Sequence, residues 1–257
     1  MRFTIDNSFP MTQRTSFFPA VIAVVLFAIF SVISSGCGNS GSTDNTTTGG
    51  GSNYGGNYFP KVGTTYTYQG YQTDSMGMKV PGSDTAWTAT VISDNANFMG
   101  KSKVFQVDDN GTKNYYTYED NGDVDLYLDQ SSLGLFSFFI GNYLNQWFTF
   151  PTASHIKGLI VFDSTISLPG FGDIEIIGRI DYLGEEELVV GIERHIATKC
   201  ALKVSSLLFK YEQTFRFVPE IGYFAKMTTS TSLLSLPGLG GGFTSGSDQT
   251  LIAYSLK

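Results

Sequence analysis

Lys103-Val104-Phe105-Gln106-Val107-Asp108-Asp109-Asn110-Gly111-Thr112-Lys113-Asn114-Tyr115-Tyr116-Thr117-Tyr118-Glu119-Asp120-Asn121-Gly122-Asp123-Val124-Asp125-Leu126-Tyr127-Leu128-Asp129 is the stretch that decides the fold. Asn-Gly occurs twice in it, each time between runs of aromatic and β-branched residues. A tight hairpin turn needs positive φ at its central residues, which Asn and Gly supply at least cost, and the twist of that turn suits two paired strands. Residues 102–129 therefore read as three antiparallel strands joined by tight hairpins. Within the last of them Val124, Leu126 and Leu128 share one face, while Asp123, Asp125, Tyr127 and Asp129 share the other, the alternation of a half-buried strand.

The same period extends outward. Lys199-Cys200-Ala201-Leu202-Lys203-Val204 places Cys200, Leu202 and Val204 together, so Cys200 reads as a small core residue rather than a nucleophile, with His195 on the opposite face. Further strands are predicted at 64–73, 85–93, 157–167, 173–188, 194–207, 209–218, 222–234 and 248–256. About eleven strands without regular amphipathic helices between them make a mainly β protein. The expected architecture is one curved antiparallel meander sheet, a half-barrel or open barrel. Twenty-one Phe, fourteen Tyr and twenty-nine Gly in 257 residues agree, because aromatic rings pack well on pleats and glycine serves the turns.

One segment breaks the period. Ser131 to Trp147, SSLGLFSFFIGNYLNQW, is apolar at spacings and over a length that favour a helix, which the concave face of the sheet would bury. Its aromatic side chains Phe136, Phe138, Phe139, Tyr143 and Trp147 are the candidate ligand-binding residues, since apolar concave sites are the usual ones for ligands.

The N-terminus has a different character. Phe17 to Ile33 is an apolar run preceded by Arg14 and followed by Ser34, Ser35 and Gly36, the layout of an export signal, and it is complete from either Met1 or Met11. Gly36-Cys37 resembles the bacterial lipobox, in which the cysteine is acylated after cleavage. On that resemblance residues 1–36 are a lipoprotein signal peptide and Cys37 carries the lipid (diacylglycerol and palmitate). The alternative is an uncleaved membrane anchor with an incidental cysteine. Gly38 to Asn57 has almost no apolar side chain, so residues 37–57 form a flexible tether and 58–257 the globular domain. Gly38, rather than Asp, follows the cysteine. By resemblance to the sorting rule of diderm bacteria, this implies the outer membrane.

Tyr58-Phe59-Pro60-Lys61-Val62-Gly63-Thr64-Thr65-Tyr66-Thr67-Tyr68 resembles the opening of a group of uncharacterised bacterial exported β-rich domains, often lipoproteins. Phe217-Val218-Pro219-Glu220-Ile221-Gly222-Tyr223-Phe224-Ala225-Lys226 resembles the late Pro, Gly and Lys turn of that group, and Leu251-Ile252-Ala253-Tyr254 its last strand. The resemblance implies an incompletely closed sheet wrapped round a core, similar in shape to the half-barrels that carry lipoproteins, and implies no agreed activity.

Enzyme chemistry finds little material. The net charge of −7 disfavours nucleic acid as a partner. The two histidines, His155 and His195, have no metal-ligand spacing, and no nucleophile elbow or phosphate loop is present. Glu185-Glu186-Glu187 reads as a solvated turn. The acidic turns around Asn110 and Asn121 could hold calcium, but no EF-hand loop follows and the plainer reading is a solvated hairpin. No cofactor and no metal site are expected. The chain is thus expected to be a non-enzymatic cell-envelope lipoprotein that binds a hydrophobic ligand or an envelope partner. A purely structural or interaction module, or a hydrolase with unrecognised residues, are the alternatives.

Overall fold

The computed structural model describes residues 57–129, 143–168, 172–233 and 243–257. They form twelve strands: β1 Thr65–Thr73, β2 Thr85–Phe98, β3 Lys101–Asp109, β4 Thr112–Tyr118, β5 Val124–Leu128, β6 Gln146–Phe150, β7 Leu159–Leu168, β8 Gly172–Val190, β9 Glu193–Ser206, β10 Phe209–Val218, β11 Tyr223–Leu233 and β12 Phe243–Ser255. All belong to one antiparallel sheet in the order β6-β5-β4-β3-β2-β1-β12-β11-β10-β9-β8-β7. Consecutive strands pair throughout, and β1 pairs with β12, so the first and last strands meet inside the sheet. The exception is β6 and β7. The meander is therefore nearly closed into a barrel whose gap lies between two strands adjacent in sequence.

Strand length accounts for the gap. β5 and β6 have five residues each, whereas β8 has nineteen and β9 fourteen, so the short wall ends before it can lie along the long one. Side chains span the opening instead. Tyr143, just before β6, stacks on Phe162 of β7 at 5.1 Å and hydrogen-bonds the Ser164 hydroxyl. Phe162 can lie there because its cross-strand neighbour is Gly178, where any Cβ would collide with the ring. The connection from β6 to β7 is fastened by one buried aspartate on each wall. Asp123 accepts from the Ala153 and Ser154 amides at 2.8 Å each, and Asp181 accepts from the Gly158 amide at 2.8 Å.

The expected alternation holds, but β5 is buried on both faces rather than half-buried, with Asp123, Asp125 and Tyr127 all buried. Val124, Leu126 and Leu128 join the interior cluster, as do Cys200, Leu202 and Val204. Outward positions of β9 and β10 carry Lys199, Lys203, Lys210, Glu212 and Arg216, so the interior is apolar and the exterior polar, the reverse of a barrel that spans a bilayer. Cys200 is 1% exposed, and burial pushes its thiol up to about 12.

Two further expectations are corrected. No helix occurs among the described residues. Of Ser131 to Trp147, residues 131–142 lie outside those described, but Gln146 and Trp147 are in β6, paired with Leu128 and Tyr127 of β5. Cross-strand pairing outweighs helical spacing at this end of the segment. Glu185-Glu186-Glu187 is not a turn but part of β8. There Glu186 pairs with Arg216 and Lys199 on the outer surface, and Glu187 with Arg194.

Candidate functional site

The two ends of the barrel are built differently. At one end the chain enters, and the opening and late motifs meet. The Tyr58 amide donates to the Pro219 carbonyl at 2.7 Å, the Tyr58 hydroxyl donates to the Lys257 carbonyl at 2.6 Å, and the Asn57 side chain donates to Gly122. Gly222 has φ +70°, and a Cβ there would strike the Tyr58 carbonyl and press on Pro60. This explains why a Pro and an aromatic at the start of the domain go with a Gly in its late turn: they close the barrel together.

A set of interior tyrosines completes that closure. Tyr66 donates to the Ile221 carbonyl at 3.3 Å, Tyr68 to Phe224 at 2.5 Å and Tyr116 to Gly222 at 3.2 Å. Tyr118 donates to both Gly222 at 3.0 Å and Tyr58 at 3.2 Å. A phenol fills apolar volume and carries one donor, so each ring packs the core while its hydroxyl satisfies a carbonyl that the turn leaves unpaired. Burial raises the hydroxyl pKa of all four tyrosines well above the usual value, so they stay neutral donors.

The next interior layer, toward the opposite end, is polar. Asp109 points inward because it continues the parity of Phe105 and Val107, and it accepts from the Asn114 amide at 3.2 Å and from the Trp87 indole. Burial, only partly offset by those two donors, raises its carboxyl pKa. Asn114 also meets the Tyr223 hydroxyl, and Trp87 stacks on Tyr68 at 5.5 Å. Gln249 faces the same layer, opposite Gly70 and Met227. Solvent reaches Trp87, Asp109, Asn114 and Gln249, which are half-buried, but not Tyr66 and Tyr116, which are 0% exposed. The interior therefore opens away from the chain's point of entry, onto an aromatic face beside a carboxylate and two amides. The sequence reading left Asp109 in a solvated turn, although the alternation Phe105, Val107, Asp109 was the signal that it turns inward.

The five aromatic residues singled out in the sequence do not form one described site. Phe136, Phe138 and Phe139 lie outside the described residues, as does Cys37. Tyr143 is inside the barrel at the gap. Trp147 is outside it, in a second cluster where Phe98 stacks on Tyr115 at 3.7 Å and Tyr127 meets Trp147 edge-on at 5.5 Å. The β2–β3 turn folds over this outer patch. Trp147 donates its indole hydrogen to the Met99 carbonyl at 3.1 Å, and the Lys101 ammonium lies 5.6 Å from the Trp147 ring centre while pairing with Glu119 and Asp125. Asp125 is 0% exposed. Burial and the neighbouring Glu119 raise its pKa against the pull of Lys101. The cluster reads as a fastener for the turn.

His155 stacks on Tyr182 at 4.3 Å, and His195, its side chain 9% exposed, lies among Tyr254, Glu193 and Glu220 near the chain entry. Among the described residues, no group of three or more His, Cys, Asp or Glu side chains could hold a metal ion.

No family model and no curated protein matches the chain. Two solved structures are similar. One is a Parabacteroides distasonis protein designated a lipoprotein, 11% identical, covering 77% of this chain and 98% of its own, with a TM-score of 0.43. The other is the hypothetical lipoprotein YmcC of Escherichia coli, 14% identical, covering 75% and 86%, with a TM-score of 0.31. At those scores neither carries an argument about this chain.

Proposed function

We propose that this chain is a non-enzymatic, lipid-anchored protein of the bacterial cell envelope, held at the outer membrane through Cys37. It binds a hydrophobic ligand or an envelope partner at the end of the barrel remote from its anchor. The observation that carries this reading is the polarity of the domain. The tether Gly38 to Asn57 joins at the end sealed by Tyr58, Pro60 and Gly222, while the layer at Trp87, Asp109 and Asn114 opens the other way. A binding surface facing away from the anchor is the useful arrangement for a tethered receptor.

A partner protein is favoured over a lipid in the lumen by one feature. Tyr66, Tyr68, Tyr116, Phe148 and Phe150 already fill the interior below the polar layer. Non-enzymatic action is supported by the buried, strongly basic thiolate position of Cys200 and by the structural contacts of both histidines.

Intact-mass analysis of the membrane-extracted protein beside Cys37→Ala tests the anchor. Cleavage before Cys37 plus acyl chains, lost in the variant, is expected, and an uncleaved mass would overturn it. Titration of the purified protein with a fluorescent fatty acid, wild type against Trp87→Ala, tests the ligand. Saturable binding weakened by the substitution supports a lipid, and no saturable binding leaves the partner reading alone. Phe138→Ala and Trp147→Ala lower the melting temperature without changing binding if those rings only fill space.

A further inference from the structure

Exposed aliphatic residues are distributed unevenly between the two ends. Among the described residues most exposed valines and isoleucines, Val62, Ile92, Val189, Ile192, Ile196 and Ile252, lie toward the end where the chain enters, whereas Met76, Met78 and Leu207 are exposed at the far end and Ile160 opposes Arg179 midway along β8. The most exposed of all is Ile192, at 94%, in the tip of the β8–β9 hairpin. Gly191 there has φ +63°, which fits a two-residue turn with Gly first, and the position after it ordinarily takes a small polar residue. At another two-residue turn, Asn110-Gly111, the chain uses a small polar residue and a glycine. Here it places isoleucine, at the point of greatest solvent contact.

The tip is not an isolated oddity. Val189 and Ile196, 57% and 50% exposed, are diagonal neighbours on the outward face of the same hairpin, because Val189 opposes Arg194 and Ile196 opposes Glu187. The inward face packs Leu188, Val190 and Ala197 against the core. The tip is held in place by Tyr254, which hydrogen-bonds Glu193. His195 lies 3.9 Å from Glu220, in the turn whose Pro219 carbonyl receives the Tyr58 amide. Ile192 is thus presented on a rigid arm beside the place where the tether joins.

We infer that this end is a membrane-seating face: Ile192, backed by Val189 and Ile196, inserts into the interfacial layer of the bilayer to which the chain is tethered. The inference rests on the reading of Gly38 to Asn57 as a membrane tether. On that reading a polar tether of this length has a root-mean-square reach of about 25 Å, which would keep the domain beside its bilayer. Confinement raises the effective concentration, so an apolar contact too weak to recruit the domain from solution suffices to orient it. Arg194 is paired with Glu187, and Glu193 and Glu220 lie by the tip, so the contact gains nothing from anionic headgroups. It is aliphatic, and insensitive to salt. Seating this face points the opening at Trp87 and Asp109 away from the membrane.

The test uses the full-length protein extracted from membranes and reconstituted into phosphatidylcholine vesicles, with and without tail-brominated lipid. Ile192→Trp is compared with Met76→Trp at the far end, and the wild type supplies the signal of Trp87 and Trp147. Both substitutions are at exposed positions, and unchanged circular dichroism shows that the fold is kept. The fluorescence added by the Ile192→Trp substitution is expected to fall by about half or more in brominated vesicles, at low and at high salt, while that added by Met76→Trp is unchanged. Equal, negligible quenching at the two positions overturns the seating face. Intact mass of the same samples separates the two readings. Acylated protein with an unquenched position 192 removes the seating face alone. Quenching at position 192 in an unacylated, uncleaved chain removes the Cys37 reading and keeps the seating face.

Discussion

The closed end and the open end of this barrel use interior polar groups to opposite purposes. At the closed end Tyr66, Tyr68, Tyr116 and Tyr118 each hand a hydroxyl to a main-chain carbonyl, so the polar atoms are consumed by the fold. At the open end Asp109 keeps an inward carboxylate that solvent still reaches and that burial strains toward the protonated form. A buried polar group stabilises when its partner is fixed in place, and costs stability when part of its charge remains unmatched. The difference teaches where stability and function reside: closure is built for rigidity, and the opening retains an unmatched charge.

Substitutions can break that contrast, and the largest effect is expected at Gly222. Gly222→Ala places a Cβ against the Tyr58 carbonyl at positive φ, and should cost about 3 kcal/mol or more in chemical denaturation. A loss below about 1 kcal/mol would show that the entry segment does not seal the barrel. Next come Tyr116→Phe and Tyr118→Phe, each expected to cost about 1 kcal/mol, the net worth of a hydrogen bond. Both hydroxyls serve the Gly222 carbonyl, so the double variant should lose more than the two single losses together, because only then does that oxygen lose both tyrosine donors.

The pH dependence sharpens the comparison because two aspartates should respond with opposite sign. At Asp181 burial alone would raise the pKa, but the Gly158 amide, Lys203 and Arg179 outweigh it and hold the carboxyl below its usual value. Its stabilising contribution is therefore present above an unfolded pKa of about 3.9 and is lost as pH falls through the lower folded value. Asp181→Asn should cost about 1 kcal/mol at neutral pH, and the gap from wild type should close in acid. Asp109 has a raised pKa, so its contribution is present below the unfolded value and is lost as pH rises through the folded one. Asp109→Asn should leave acid stability alone and become the more stable protein as pH rises above about 4, by less than about 1 kcal/mol at neutral pH. A melting-temperature series in which both variants move the same way would remove the distinction between the ends.

Much of the fold was legible from local pattern. Asn110-Gly111 and Asn121-Gly122 both fall in turns, but only the first is the expected two-residue turn with positive φ at both residues; the second lies in a five-residue loop in which Gly122 alone of the pair has positive φ. The alternation through Val124, Leu126 and Leu128 fixes a face without reference to the rest of the chain. β6 was missed for the complementary reason. Gln146-Trp147-Phe148-Thr149-Phe150 is short, and its first residues continue an apolar run that fits a helix equally well, so its identity comes from β5, which pairs with it across the sheet. The candidate site was less legible. Tyr143 and Trp147 are close in sequence, yet Tyr143, just before β6, lies in the interior while Trp147, in β6, lies on the outer surface.

The sequence by itself determined most of the strands, where they turn and the alternation of their faces, since each depends on residues within a few positions of one another. Only the tertiary structure decided that β1 pairs with β12, that the gap falls between β6 and β7, and that Tyr58 and Pro60 lie on Gly222 more than 160 residues away. Contacts of that range are set by how sheet twist and strand length close a barrel, and no local pattern records how far a sheet must curve before its ends meet.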